Sequence, residues 1–266
     1  MSVRTLSLCL ALCLPHALHA QSPRLSEILD VQMRPGWKTE QGTHMAALHL
    51  RLARDWITYW RHPGESGIAP RFDWSGSRNL AHARVHWPEP RLFLSAGINS
   101  IGYAEELVLP IELTPAKHGQ PVELDGIMTL GVCNDICIPV DLELRLTAEG
   151  AGQPDRTIAT ALSSRPGSAS AAGLRNVSCE ISPHRRGLQL SAALDMPRTT
   201  DIEFVLVEMT GPQGPGRALG SERDGDALKG HMLLPATIAA IDRSAVRVSV
   251  VTERGTVVHQ GCGLAN

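Results

Sequence analysis

No apolar run in this chain approaches the roughly 20 residues that a membrane-spanning helix requires. The longest, at positions 6–14, is short and is closed by Pro15. Aromatic residues are scarce, at 4% of the chain, and Trp37, Trp56, Trp60, Trp74 and Trp87 all fall in its first third, so the two halves build different cores. Neither sign of charge is in excess. The balance of 25 basic and 27 acidic residues leaves −2, which gives no general attraction for nucleic acid or anionic lipid. A phosphate-binding loop, a zinc-type spacing and a Ser, His and Asp arrangement are all missing, which leaves no basis for a hydrolase or nucleotide enzyme and calls for no cofactor.

What is present at the N-terminus reads as an export signal. Arg4 precedes the apolar run, Pro15 follows it, and a cut after Ala20 is expected, with Leu18 larger than usual at the minus-three position. A lipid anchor on Cys9 or Cys13 fits less well, because each follows a leucine where a small residue is wanted. Export to the periplasm is the expectation. Removal of residues 1–20 leaves Cys133, Cys137, Cys179 and Cys262, and an even number in an oxidising compartment suggests pairing. Joining 133 to 137 and 179 to 262 keeps each bridge within one expected domain.

Short runs with period-two alternation, such as Ala46, Leu48, Leu50 and Leu52, are separated by Pro, Gly and Asn clusters, which is the pattern of strands. Strands are expected at 57–61, 84–87, 107–113, 122–132 and 138–146. Pro110 suits an edge or bulge better than a sheet centre. Residues 151–173 are rich in Gly, Pro, Ser and Ala around a short helical stretch at 155–163 and read as a linker. Strand patterns resume at 177–181, 188–194, 202–209, 227–234, 246–252 and 256–260. The expected fold is all-β, two immunoglobulin-like β-sandwich domains in series at 21–150 and 174–266.

Apolar side chains at even positions run from Val122 to Val132 and resume from Ile138 to Leu144. Cys133 and Cys137 flank the break, with Asn134, Asp135 and Ile136 as a three-residue hairpin loop in which Asn and Asp would tolerate left-handed geometry. The cysteines then face each other at a separation a disulfide can span. A bridge closing so short a loop adds little stability by constraining the unfolded chain, so function is the better reason for it. Three readings remain open: redox exchange, a passive staple in a binding or scaffold module, and a copper(I) site with a nearby histidine such as His62. No helix N-terminus is at hand to lower a thiol pKa, and Asp135 disfavours a neighbouring thiolate. Cys179 and Cys262, beside the first and last strands of the second sandwich, read as a structural bridge.

The segments WITYWRHPGESG at 56–67, FDWSG at 72–76, Trp87-Pro88, Gly102-Tyr103 and GVCNDICIP at 131–139 resemble the N-terminal periplasmic region of the DsbD-type thiol:disulfide interchange proteins. The suppressor-of-copper-sensitivity protein B branch is the nearest, and IDRS at 241–244 with Gly261-Cys262 is similar to its second domain. The resemblance implies a protein-disulfide reductase component whose pair, here Cys133 and Cys137, takes electrons from a membrane-embedded donor and passes them to periplasmic thioredoxin-fold partners. It implies that the second cysteine of the pair joins the partner. It also implies a cap loop over the pair, placed by position at 91–101, with Tyr59, Phe93 and Tyr103 as cap or partner contacts. The aromatic cap residues of the family are replaced here by Ser95, Ala96, Gly97, Ile98 and Asn99. If the sequence is complete at Asn266, the membrane-embedded donor must be a separate protein.

Overall fold

The computed structural model describes residues 24–264, apart from 96, 212–215, 226 and 239. The expected export signal lies outside the described residues. After the single-turn helix α1 (Leu25–Ile28), the first half runs through β1 (Leu29–Lys38), β2 (His44–Leu52), β3 (Ile57–Gly64), β4 (Arg71–Asp73) and β5 (Leu80–Val85). It continues through β6 (Arg91–Ser95), β7 (Ile98–Ala104), β8 (Glu106–Pro115), β9 (Val122–Cys133) and β10 (Cys137–Ala148). One sheet has the order β1-β2-β8-β5 and the other β10-β9-β3-β7-β6, with β4 paired to β9. Leu48, Leu50, Trp60, Leu109, Met128, Leu130 and Leu144 fill the space between them.

The helix α2 (Arg156–Ser163) follows, and then β11 (Gly167–Ser168), β12 (Asn176–His184), β13 (Gly187–Asp195), β14 (Glu203–Met209) and β15 (Arg217–Asp224). The chain closes with β16 (Ala227–Leu234), β17 (Val246–Thr252), β18 (Gly255–Gln260) and β19 (Gly263–Leu264). Here the sheets are β11-β18-β17-β14 and β15-β16-β13-β12-β19, packed through Leu190, Val205, Val207, Met232, Val248 and Val250. The protein is all-β, two immunoglobulin-like sandwiches in series.

Pro110 departs from the expectation of an edge, because β8 lies between β2 and β5. The reason is local. The ladder with β5 stops at Val85 opposite Ile111, so β8 has no strand beside it at Pro110 on that side. The N and C=O of one strand residue point the same way, and the Pro110 carbonyl receives the His86 N–H there, so the absent N–H costs no ladder bond.

The 151–173 stretch is built into the fold. Asp155 caps α2 by accepting from the Thr157 and Ile158 N–H groups, and Ile158 and Ala161 then cover Met45, Ala47 and Val108 on the outer face of β2 and β8. Both faces of β14 and β17 are buried as well. Val205, Val207, Val248 and Val250 face the second core, while Phe204, Leu206 and Val251 join the first, making the two sandwiches continuous.

Candidate redox site

β9 and β10 pair in register from Val122 opposite Ala148 to Cys133 opposite Cys137, so the cysteines form the last rung before the turn. They are joined in a disulfide with Cα atoms 4.1 Å apart. The loop of Asn134, Asp135 and Ile136 closes with Asn134 N–H donating to the Ile136 carbonyl, and none of the three adopts positive φ. The left-handed turn expected of Asn and Asp is therefore not used. The two cysteines are unequally exposed: Cys133 is 2% exposed, whereas Cys137 faces solvent.

Sheet order explains the asymmetry: β9 lies between β10 and β3, whereas β10 is the edge strand. Even positions of β9 point into the core, so Gly131 and Cys133 lie on the opposite face. There Tyr59 covers Cys133. Its hydroxyl donates to Cys133 Sγ at 3.0 Å and lies 3.3 Å from Cys137 Sγ. The ring occupies the volume that a side chain at 131 would fill: a Cβ on Gly131 would lie 2.8 Å from Ile68 Cβ and 3.1 Å from the ring. Gly67, at φ +123°, lies along the opposite edge, where a Cβ would come within 2.4 Å of the ring. Thr58 Oγ1 donates to the Gly131 carbonyl at 2.9 Å and pins β3 to β9. Burial raises the pKa of the Tyr59 hydroxyl, so at neutral pH it remains a proton donor facing sulfur.

A disulfide on a hairpin tip, with a buried hydroxyl donor against it, is an arrangement suited to exchange. Residues 26–149 match the family described as "Thiol:disulfide interchange protein DsbD, N-terminal". The first sandwich is a DsbD-type N-terminal domain. The chain is also similar to the crystal structure of the N-terminal periplasmic domain of ScsB from Proteus mirabilis, with a TM-score of 0.60 and 25% identity over 92% of this chain and 97% of that one. No curated protein matches the chain by sequence.

Within the DsbD-type domain the other expected contacts lie elsewhere. Of the expected cap, residues 91–95 form β6 and residues 98–101 lie in β7, and β3 and β7 stand between β6 and β9. Phe93 is half-buried there opposite Ser100, and Leu94 near the tip lines a crevice with Ile202 and Arg254 of the second sandwich. Cover over the disulfide comes instead from Tyr59, backed by Gly67 and Ile68. Tyr103 is buried and donates to the Pro88 carbonyl at 2.9 Å, which ties β7 to the chain entering β6. His62 accepts from Gly64 N–H through Nδ1 at 3.1 Å and faces a crevice shared with Gly216 of the second sandwich; burial lowers its pKa. Its ring is therefore committed away from sulfur. Among the described residues no group of three or more His, Cys, Asp or Glu could hold a metal ion.

Cys179 and Cys262 form the second disulfide, with Cys179 buried in the core of the second sandwich. Sequence reasoning missed Gly131, Gly67 and Ile68. The signal for Gly131 was its phase: a glycine two residues before Cys133 on the same outward face leaves room for another group.

Proposed function

We propose that the chain is a periplasmic thiol:disulfide interchange module that passes electrons to thioredoxin-fold partners, with Cys137 as the sulfur that joins the partner and Cys133 as the resolving sulfur. The unequal exposure of the two cysteines supports this most directly. In the reduced module the Cys137 thiolate attacks a partner disulfide. One partner sulfur leaves as a thiolate and a mixed disulfide forms. The Cys133 thiolate then attacks Cys137 Sγ, the intermolecular bond breaks, and the partner departs with both thiols reduced while the Cys133–Cys137 bond is restored. Read in reverse, an incoming thiolate reaches Cys137 and expels Cys133, whose developing charge accepts the Tyr59 hydroxyl proton as a hydrogen bond.

Exposed Ile136 in the loop offers an apolar contact beside the reacting sulfur. A membrane-embedded protein supplying the electrons completes the cycle. The scaffold reading leaves the Tyr59 hydroxyl on the sulfurs without a purpose, and among the described residues no cluster of His, Cys, Asp or Glu gives the copper(I) reading a third ligand.

Capture tests the assignment. Cys133→Ser incubated with an oxidised thioredoxin-fold protein should give a mixed disulfide that survives a non-reducing gel, and Cys137→Ser should give none. A persistent complex formed by Cys137→Ser alone reverses the roles, and none from either variant removes the reading.

A further inference from the structure

β3 leaves its sheet immediately after the residue that touches both sulfurs. On one side it pairs with β9 only at Ile57 and Thr58. On the other its register with β7 jumps from Tyr59 opposite Gly102 to Gly64 opposite Ser100, so residues 60–63 lie off both ladders. Without ladder bonds their position must be set by side chains. Trp60 is held in the first core. The next two residues meet the second sandwich. The Arg61 guanidinium forks onto Glu208, with Nε to Oε1 at 3.2 Å and Nη2 to Oε2 at 2.7 Å. Nη2 also donates to Ser249 Oγ at 2.9 Å, and the guanidinium carbon sits 3.5 Å over the Trp60 ring. His62 lies in a crevice with Gly216 and Arg217 of the second sandwich.

Glu208 and Ser249 are themselves buried, on the faces of β14 and β17 that carry Phe204, Leu206 and Val251 against the first core. Arg247 lies close by and donates through Nε to Gln260; burial together with the Arg61 charge lowers its pKa, which the Glu208 charge partly offsets. A buried forked ion pair fixes direction as well as distance.

We infer that Arg61 and Glu208 are positioning residues for the redox pair: the second sandwich grips β3 two residues beyond Tyr59 and thereby holds the tyrosine hydroxyl on the sulfurs. This rests on the exchange reading above and assigns the second sandwich a part in that site. Tyr59 stands between two anchors, Thr58 bonded to Gly131 on one side and Arg61 bonded to Glu208 on the other. Slackening the second anchor lets the backbone rotate, and the displacement is multiplied at the hydroxyl on the far end of the ring.

A double-mutant cycle on the full chain tests this. The rate of exchange between the Cys133–Cys137 disulfide and glutathione is measured for Arg61→Met and Glu208→Gln, each alone and combined with Tyr59→Phe. Arg61→Met alone should slow exchange by about three- to fivefold, Arg61→Lys should recover part of the loss, and in the Tyr59→Phe background Arg61→Met should change the rate by less than about twofold, because coupled residues are not additive. Glu208→Gln should slow exchange to a smaller extent through the same cycle. Equal slowing in both backgrounds, or no slowing in either, overturns the inference. Cys179–Cys262, followed in the same samples, should keep its wild-type rate; a parallel change there means general loosening and also overturns it. The probe is a small thiol, so failure to capture a protein partner would remove the exchange reading while leaving this result standing.

Discussion

At Tyr59 a hydroxyl that burial keeps protonated meets a sulfur that burial keeps from solvent. A hydrogen bond to a charged acceptor contributes about 1.5–3 kcal/mol, and the part of it gained as Cys133 leaves appears in the rate. Tyr59→Phe should therefore slow attack by glutathione on the disulfide by about tenfold, since each 1.36 kcal/mol is one decade. Stopped-flow exchange kinetics check this; an unchanged or faster rate would mean the hydroxyl only shields. The cysteines could be read from the sequence because the apolar phase of β9 and β10 breaks and resumes around them. Their inequality could not, because it comes from a ring supplied 74 positions earlier in the chain. The glycines that admit that ring say nothing of what fills the space they leave.

Among the elements, the β9–β10 hairpin was the most legible, since its twelve paired rungs follow a strict period-two pattern up to the disulfide. The twelve rungs have a kinetic effect: they hold Cys133 beside Cys137 after the S–S bond opens. The resolving thiolate thus acts at a high effective concentration, and a mixed disulfide is short-lived unless Cys133 is removed.

The segment at 91–101 could be misplaced because position in the chain says nothing of which strand order the sheet adopts. With two strands between Phe93 and β9, Phe93→Ala should leave the alkylation rate of reduced Cys137 within about twofold of wild type, as expected for substitutions without a shared contact. A marked acceleration would restore it as a cap.

The helix α2 carries a different dependence. Burial alone would raise the Asp155 pKa, but the Arg34 hydrogen bond and the Ile158 and Thr157 N–H groups hold it below the ordinary carboxylate value. A depressed folded-state pKa contributes stability above the unfolded value that is lost as pH falls through the folded one. Asp155→Ala should cost about 1–2 kcal/mol at pH 7 by denaturant unfolding, and the difference from wild type should shrink as the pH falls below the carboxylate range.

Over the whole molecule, the two disulfides differ in what opening them requires. Cys137 is open to solvent on a three-residue loop, while Cys179 is buried at the end of an 83-residue separation, a closure worth roughly 4–5 kcal/mol in the chain-entropy model. Mild dithiothreitol followed by alkylation and peptide mapping should label Cys133 and Cys137 first; earlier label on Cys179 and Cys262 would reverse the assignment of labile and structural bridges. Two sandwiches were legible from strand spacing, yet their fusion was not. The run at 204–207 reads as one buried strand, and alternation cannot reveal that its two faces belong to different cores. That fusion bears on how the chain is made. Synthesis runs from the N-terminus, so the first sandwich emerges while Phe204, Leu206 and Val251 are still to come, and until they arrive its Trp60 side presents apolar surface and an unneutralised Arg61 to water. A chain stopped short of β17 would carry Tyr59 with the Cys133–Cys137 pair and still be prone to aggregate.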